Sequence, residues 1–189
     1  QIMADKTRKG KKQWVKIIGT SDFKNKDLGE SYVYDPKNLV GKTIKVNLSQ
    51  LNHDFKQQNA NIIFKITDIK EDDAHADIIS YEMVPAYVKR VVRTAKDKID
   101  DSFIVQTKDK KSLKIKPIIL TFKKANNSIL TNIRLKTREQ FTEVSKKSDF
   151  GAILQGIISG QTQKMFRTNL KKIYPISVFE IRKLEVINR

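Results

Sequence analysis

Along the first two thirds of the chain, apolar and polar residues alternate in short runs, the period of half-buried strands. Trp14–Ile18 reads as the first strand. Gly19 to Pro36 is polar, carries Gly29 and Pro36, and reads as an extended loop. Thr43–Leu48 is the next strand, and Ile62–Ile69 follows with Ile62, Phe64 and Ile66 on one face. Ala74–Glu82 pairs with that strand across the Lys70–Asp73 turn. Pro85 suits the first position of a short helix running to about Lys96. Its apolar side is Val88, Val91, Val92 and Ala95, while Lys89, Arg93 and Lys96 share a face. Ile99–Thr107 and Ser112–Phe122 form a hairpin around Asp109, with Leu113 and Ile115 alternating with Lys114 and Lys116. Pro117 has no N–H to donate, so its strand lies at an edge or bulges there.

The last third changes to a helical period. Asn126, Asn127 and Ser128 are capping residues for a helix carrying Ile129, Ile133, Phe141 and Val144 to about Lys147. Asp149 caps a second helix with Phe150, Ile153, Leu154, Ile157 and Ile158 apolar. A third runs from about Gln161 to Ile173, with Lys164, Arg167 and Lys171 opposite Met165, Phe166 and Leu170, and Pro175 stops it. The final strand spans Val178–Ile187. Phe179 and Ile181 are apolar in one phase, Leu184 and Val186 in the other, which predicts a bulge near Arg182–Lys183. The predicted class is α+β: a mostly antiparallel, barrel-like sheet with a short central helix and a helical segment near the C-terminus. Residues 1–13 read as a basic flexible tail and 14–189 as a single domain.

Charge sharpens this picture. The 189 residues carry a net +17, an excess that opposes compaction and points to a polyanionic partner. Residues 107–189 hold 19 Lys+Arg against 6 Asp+Glu, whereas residues 1–106 hold 19 against 15. The second half therefore carries most of the field, and the acidic stretch Asp68–Glu82 offsets the first. No apolar run approaches the roughly 18 residues of a membrane span, and no signal peptide is evident at the start, so no membrane partner is expected. Cysteine is absent, which removes disulfides, thiolate nucleophiles and cysteine-ligated zinc and fits a cytoplasmic location without requiring one.

Catalytic chemistry is thin. His53 and His75 are too scattered for a ligand cluster and read as surface residues. Gly151, Gly156 and Gly160 lack the Gly-Lys-Ser/Thr of a phosphate loop and read as helix-end glycines. Asp72/Asp73 and Asp100/Asp101 are adjacent pairs that face opposite ways in a strand; turn or cap duty suits them better than a two-metal site. No catalytic residue, metal, cofactor or small-molecule substrate is expected. Lysine outnumbers arginine 30 to 8, favouring sequence-indifferent phosphate contact over base reading, and no aromatic ladder for stacking single-stranded bases is evident. A free-standing basic nucleic-acid-binding protein is the alternative that composition leaves open.

Several runs, in order and spacing, resemble one family. They are Lys171-Lys172-Ile173-Tyr174-Pro175, then Val178 to Lys183 and Glu185-Val186; and Lys116-Pro117 leading through Thr121 to Lys123-Lys124-Ala125. Asp35-Pro36, Leu39-Val40-Gly41, Val46, Leu48 and Leu51, with Trp14-Val15-Lys16-Ile17 and Lys98-Ile99-Asp100, complete the pattern. It resembles the archaeal–eukaryotic small-subunit ribosomal family S-three-Ae, and its archaeal branch in particular. The chain departs from the family where Val84-Pro85-Ala86 begins the short helix and where Arg93 alone remains of three arginines; Lys89, Arg90 and Lys96 are available as substitutes. The resemblance implies small-subunit ribosomal RNA as partner, on the platform near the messenger exit, with neighbouring ribosomal proteins of the platform. It carries over Lys16, Arg93, Lys116, Lys123, Lys124, Arg134, Lys171, Lys172, Arg182 and Lys183 as RNA-facing. Lys6, Arg8, Lys9, Lys11 and Lys12 join them on the charge of the tail, which is expected to order only against phosphates.

Overall fold

A computed structural model describes residues 11–19, 26–71, 73–93 and 96–187. Its longest hairpin is the strongest alternation in the sequence: strands β4 (Ala60–Lys70) and β5 (Asp73–Met83) pair antiparallel along their length. Ile62, Phe64 and Ile66 of β4 and Ala74, Ala76 and Ile78 of β5 point inward and are buried. Five shorter strands and one long one extend this ribbon. They are β1 (Gln13–Gly19), β2 (Asp27–Val33), β3 (Thr43–Asn47), β6 (Lys98–Asp100), β7 (Phe103–Gln106) and β9 (Ile176–Ile187). A further long strand, β8 (Ser112–Thr121), pairs with β9 throughout.

The sheet is mostly antiparallel, as the α+β reading requires, but it does not close into a barrel. Two strands fork it. β5 holds β4 on one edge, and on the other both β1, parallel at Ala74–Ala76, and β9, antiparallel at Ser80–Glu82. β8 likewise holds β9 on one edge and both β7 and β6 on the other. A barrel needs one continuous register around its circumference; forks end that continuity and leave β2, β3 and the β6–β7 edge open.

Pro117 shows why the second fork lies where it does. In a strand, the N–H and C=O of one residue point to the same edge. The Pro117 carbonyl accepts from Asp101 N at 3.4 Å, in the gap between β6 and β7. The missing N–H thus falls where no ladder partner stands. On the other edge the register slips between Lys116 and Pro117, so that Arg182 is the extra residue of β9. The predicted bulge is there, although β8 is an interior strand.

Helices cover one side. α3 (Asn127–Lys147), α4 (Phe150–Ile158) and α5 (Gln161–Lys171) join the sheet through aromatic rings: Phe141 stacks on Phe166 at 4.3 Å, and Phe166 on Phe179 of β9 at 5.4 Å. Asn126 and Asp149 stand at the N-caps of α3 and α4, but neither side chain makes a capping bond. Asp109 of the β7–β8 turn does it for α4, accepting from Phe150 N at 3.3 Å.

Four expectations need correction. Part of the expected loop from Gly19 to Pro36 is the strand β2, whose few half-buried residues hide its pattern and whose hydrogen bonds come from β1. Leu48 starts a helix, α1 (Leu48–Asn52), because the Asn47 side chain accepts from Ser49 N at 3.0 Å and turns the chain. The helix that Pro85 begins, α2 (Pro85–Val92), stops short of Lys96 and buries none of its residues fully; Ala95 lies outside the described residues. In α5 the inward face is Gln163, Phe166 and Leu170, spaced by three and four, which leaves Met165 46% exposed.

Candidate nucleic-acid interface

The bulge in β9 builds the first cationic site. Phe179 and Ile181 face the core, Leu184 resumes that face, and the inserted residue leaves Arg182 and Lys183 side by side, half-buried, between them. With Lys116 of β8 and Lys89 of α2 they line a cleft of about 350 Å³. Its other walls are Glu82, Met83, Pro85 and Val88. Lys116 stands directly opposite Lys183 in the ladder, a like-charge pairing that works against the sheet. Lys183 reaches Glu185 at 3.0 Å, Arg182 reaches Asp100 at 3.0 Å, and Glu82 is contacted by Lys45 at 3.4 Å. Lys89 and Lys116 make no ion pair among the described residues. With Arg182 and Lys183 each already paired to a carboxylate, Lys89 and Lys116 are the cations of the cleft left to suit a ligand with anionic oxygens.

A second site forms at the end of the sheet, where two chain junctions are tied together. Phe122 N donates to Pro175 O at 3.2 Å, and Tyr174 Oη donates to Lys124 O at 2.9 Å. These bonds hold Lys123-Lys124, after β8, beside the end of α5 with Lys171-Lys172, and all four are exposed. Lys96 N donates to Thr121 O at 3.3 Å, bringing another exposed lysine to the same end. The nearby Asp97 carboxylate is occupied, accepting from Ala125 N at 2.6 Å. Among the described residues no ion pair neutralises the lysines of this corner, which come from three separate stretches of sequence.

The other expected contacts are dispersed. Arg93 caps the end of α2 and is exposed. Arg134 lies along α3, where its charge, with that of Arg138, favours the ionised form of Asp101. The Arg138 fork, at 2.7 and 2.6 Å, holds the Asp101 carboxyl below its ordinary range. Asp100 and Asp101 thus serve two different arginines, Arg182 on β9 and Arg138 on α3. Lys11, Lys12 and Lys16 are exposed at the β1–β2 edge. Lys6, Arg8 and Lys9, and with them most of the expected tail, lie outside the described residues, as does Asp72; Gln13 already belongs to β1.

Two features are not apparent from the sequence. Trp14, Tyr32 and Tyr34 are 66%, 50% and 46% exposed; β1–β2 pairing sets Trp14 against Tyr32, and Lys12 lies over the rings of both tyrosines. The alternation of Lys12, Trp14 and Lys16 is a legible signal, but its partner strand is not. The other is a cavity of about 330 Å³ between α5 and β9, where Glu180 lies against Gln163 and Arg167. Burial pushes the Glu180 carboxyl up to about 7, although Gln163 and Arg167 both favour its ionised form. The same burial raises the Tyr81 and Tyr87 phenols.

The residues weighed for catalysis stay apart. His53 ends α1 in a left-handed conformation, and His75 sits in β5 opposite Asp68. Gly160 caps α5 with φ +74°, and Gly151 lies in the first turn of α4. Gly156 is inside α4, where a Cβ would come within 2.6 Å of Thr162 Oγ1, so close helix packing and not a cap requires it. Among the described residues no three His, Cys, Asp or Glu side chains converge in a metal-binding group.

Comparison with known proteins decides what this basic α+β fold is. The model of the Ribosomal S3Ae family matches residues 3–189. The chain belongs to that family. Relatives are archaeal proteins called small ribosomal subunit protein eS1. The one from Halorubrum lacusprofundi is 31% identical over 92% of this chain and 80% of its own length. That from Nanoarchaeum equitans is 29% identical over 91% and 87%, and that from Archaeoglobus fulgidus 30% over 93% and 84%. In this S3Ae chain the cleft and the lysine corner both involve runs on which the family resemblance rests: Lys116-Pro117, Lys123-Lys124, Lys171-Lys172 and Arg182-Lys183.

Proposed function

We propose that this protein is a structural constituent of the small ribosomal subunit, binding ribosomal RNA through phosphate contacts and supporting translation. The observation that carries the reading is the lysine corner: four exposed lysines from two distant junctions, clamped together by backbone and tyrosine hydrogen bonds, with no ion pair among the described residues. Family membership supplies the ribosome; the corner and the cleft supply the surface. Lys116, Lys123, Lys124, Lys171, Lys172, Arg182 and Lys183 contact phosphates where RNA helices converge. Arg93, Arg134, Lys16 and the basic residues Lys6, Arg8, Lys9, Lys11 and Lys12 extend the footprint. Lysine's point charge suits backbone recognition of folded RNA.

The place is the platform, near the messenger exit and the 3′ end of the ribosomal RNA, among neighbouring ribosomal proteins and in the cytoplasm. The protein scaffolds RNA and catalyses no reaction. Sedimentation of native particles tests this directly. The protein should remain with small subunits through a high-salt wash that strips loosely bound basic proteins. Release into the supernatant with bulk nucleic-acid-binding proteins would count decisively against it.

A further inference from the structure

β1 buries Val15 and Ile17 at 1% and 3% exposure, so the period of two forces Trp14 and Lys16 onto the opposite face. The β2 register then sets Tyr32 directly across from Trp14 and Glu30 across from Lys16. The Trp14 and Tyr32 rings lie with centroids 4.8 Å apart, tilted by 34°. Lys12 Nζ sits 5.0 Å from the Tyr34 ring centroid and 5.5 Å from that of Tyr32. Two large aromatics therefore form one exposed patch on a sheet surface, and Lys12 joins to it Tyr34, just past the end of β2. None of the three belongs to the buried core.

We propose that this patch is a stacking platform for an unpaired stretch of RNA, separate from the phosphate-binding cleft and corner. The inference rests on the RNA-binding reading above but adds a different chemistry to it. Aromatic rings carried on a β-sheet surface receive the faces of splayed bases, while lysines beside them take the intervening phosphates. The cation over the tyrosine rings argues for a polyanion here and against an apolar protein surface, which would have to desolvate Lys12. Trp14 and Tyr32 take the bases, and Lys12 and Lys16 flank the strand. Stacking tolerates any base, so selectivity is for single strands over duplex and not for sequence.

The chain has one tryptophan, so its fluorescence reports on the platform alone. Full-length protein is titrated with a six-nucleotide oligoadenylate and, separately, with a blunt RNA hairpin. Trp14 emission should be quenched to saturation by the single strand and little changed by the hairpin. Binding measured by anisotropy of labelled RNA should show Trp14→Ala and Tyr32→Ala each weakening the single strand roughly five- to a hundredfold. Hairpin affinity should be unchanged in both variants, and Tyr32→Phe should retain single-strand binding. Absence of quenching, or equal losses for strand and hairpin, would overturn the platform and leave the face to a protein partner. Hairpin binding that survives in such a case would keep the phosphate-binding reading intact. Quenching by the single strand without any hairpin binding would do the reverse.

Discussion

The β1–β2 edge and the β8–β9 region carry the same sign of charge on different foundations. At β8–β9, lysines stand on strands paired along their length and on a helix anchored by stacked phenylalanines. Their positions are fixed by the core beneath them, so the surface can match the fixed shape of a folded RNA. At β1–β2 the strand β2 has one partner and half-buried residues at best, and the exposed groups are rings as much as cations. Such an edge suits a flexible strand whose bases can reach the rings. A net charge of +17 alone does not separate these roles; what underlies each charge does.

The two regions should differ most at Phe166, which is fully buried between Phe141 and Phe179. Phe166→Ala should cost about 3–5 kcal/mol by denaturant unfolding, against about 0.5 kcal/mol for Trp14→Ala at its exposed site. Comparable losses would mean that the edge is as deeply built as the helical side.

Next in size is the corner. Replacing Lys123, Lys124, Lys171 and Lys172 together by Gln should lower affinity for a folded ribosomal RNA fragment on the order of a hundredfold. The slope of log affinity against log salt should become shallower by about 0.7–0.9 for each phosphate no longer neutralised. Thermal stability should hold or rise, because like charges are removed. An unchanged slope would remove the corner from the interface.

Glu180 sharpens the distinction between core and surface through pH. Its carboxyl is raised to about 7 from an ordinary 4.5. Below 4.5 both folded and unfolded chains hold this proton, and burial carries no penalty. As pH rises towards 7 the unfolded chain ionises first, so stability falls; above about 7 the penalty is constant. Glu180→Gln should therefore stabilise by on the order of 2 kcal/mol at pH 8 and leave stability unchanged near pH 4. Melting curves at the two pH values check it; a pH-independent gain would show that Glu180 titrates normally.

The smallest stability effect is expected from deleting residues 1–12, a segment without core-forming pattern. Unfolding should shift by no more than about 0.5 kcal/mol, while incorporation into small subunits in competition with the full chain should weaken. Equal incorporation would remove the segment from the RNA footprint.

Much of this protein is determined locally. The β4–β5 hairpin, the helices after Asn126 and the bulge at Arg182 follow from periods of two and 3.6 and from one slip of phase, because each is set by neighbours in the chain. The lysine pairs of the corner are also legible as clusters. Tertiary structure alone decides the rest. β2 exists because β1 supplies its hydrogen bonds, and the sheet stays open because β5 and β8 each serve two strands on one edge. Arg138 meets Asp101, thirty-seven positions away, only because α3 runs past the β6–β7 gap. Trp14 and Tyr32, eighteen positions apart, meet only through a cross-strand register. Side chains distant in sequence become a surface through pairing and packing, and no period along the chain records which partner that will be.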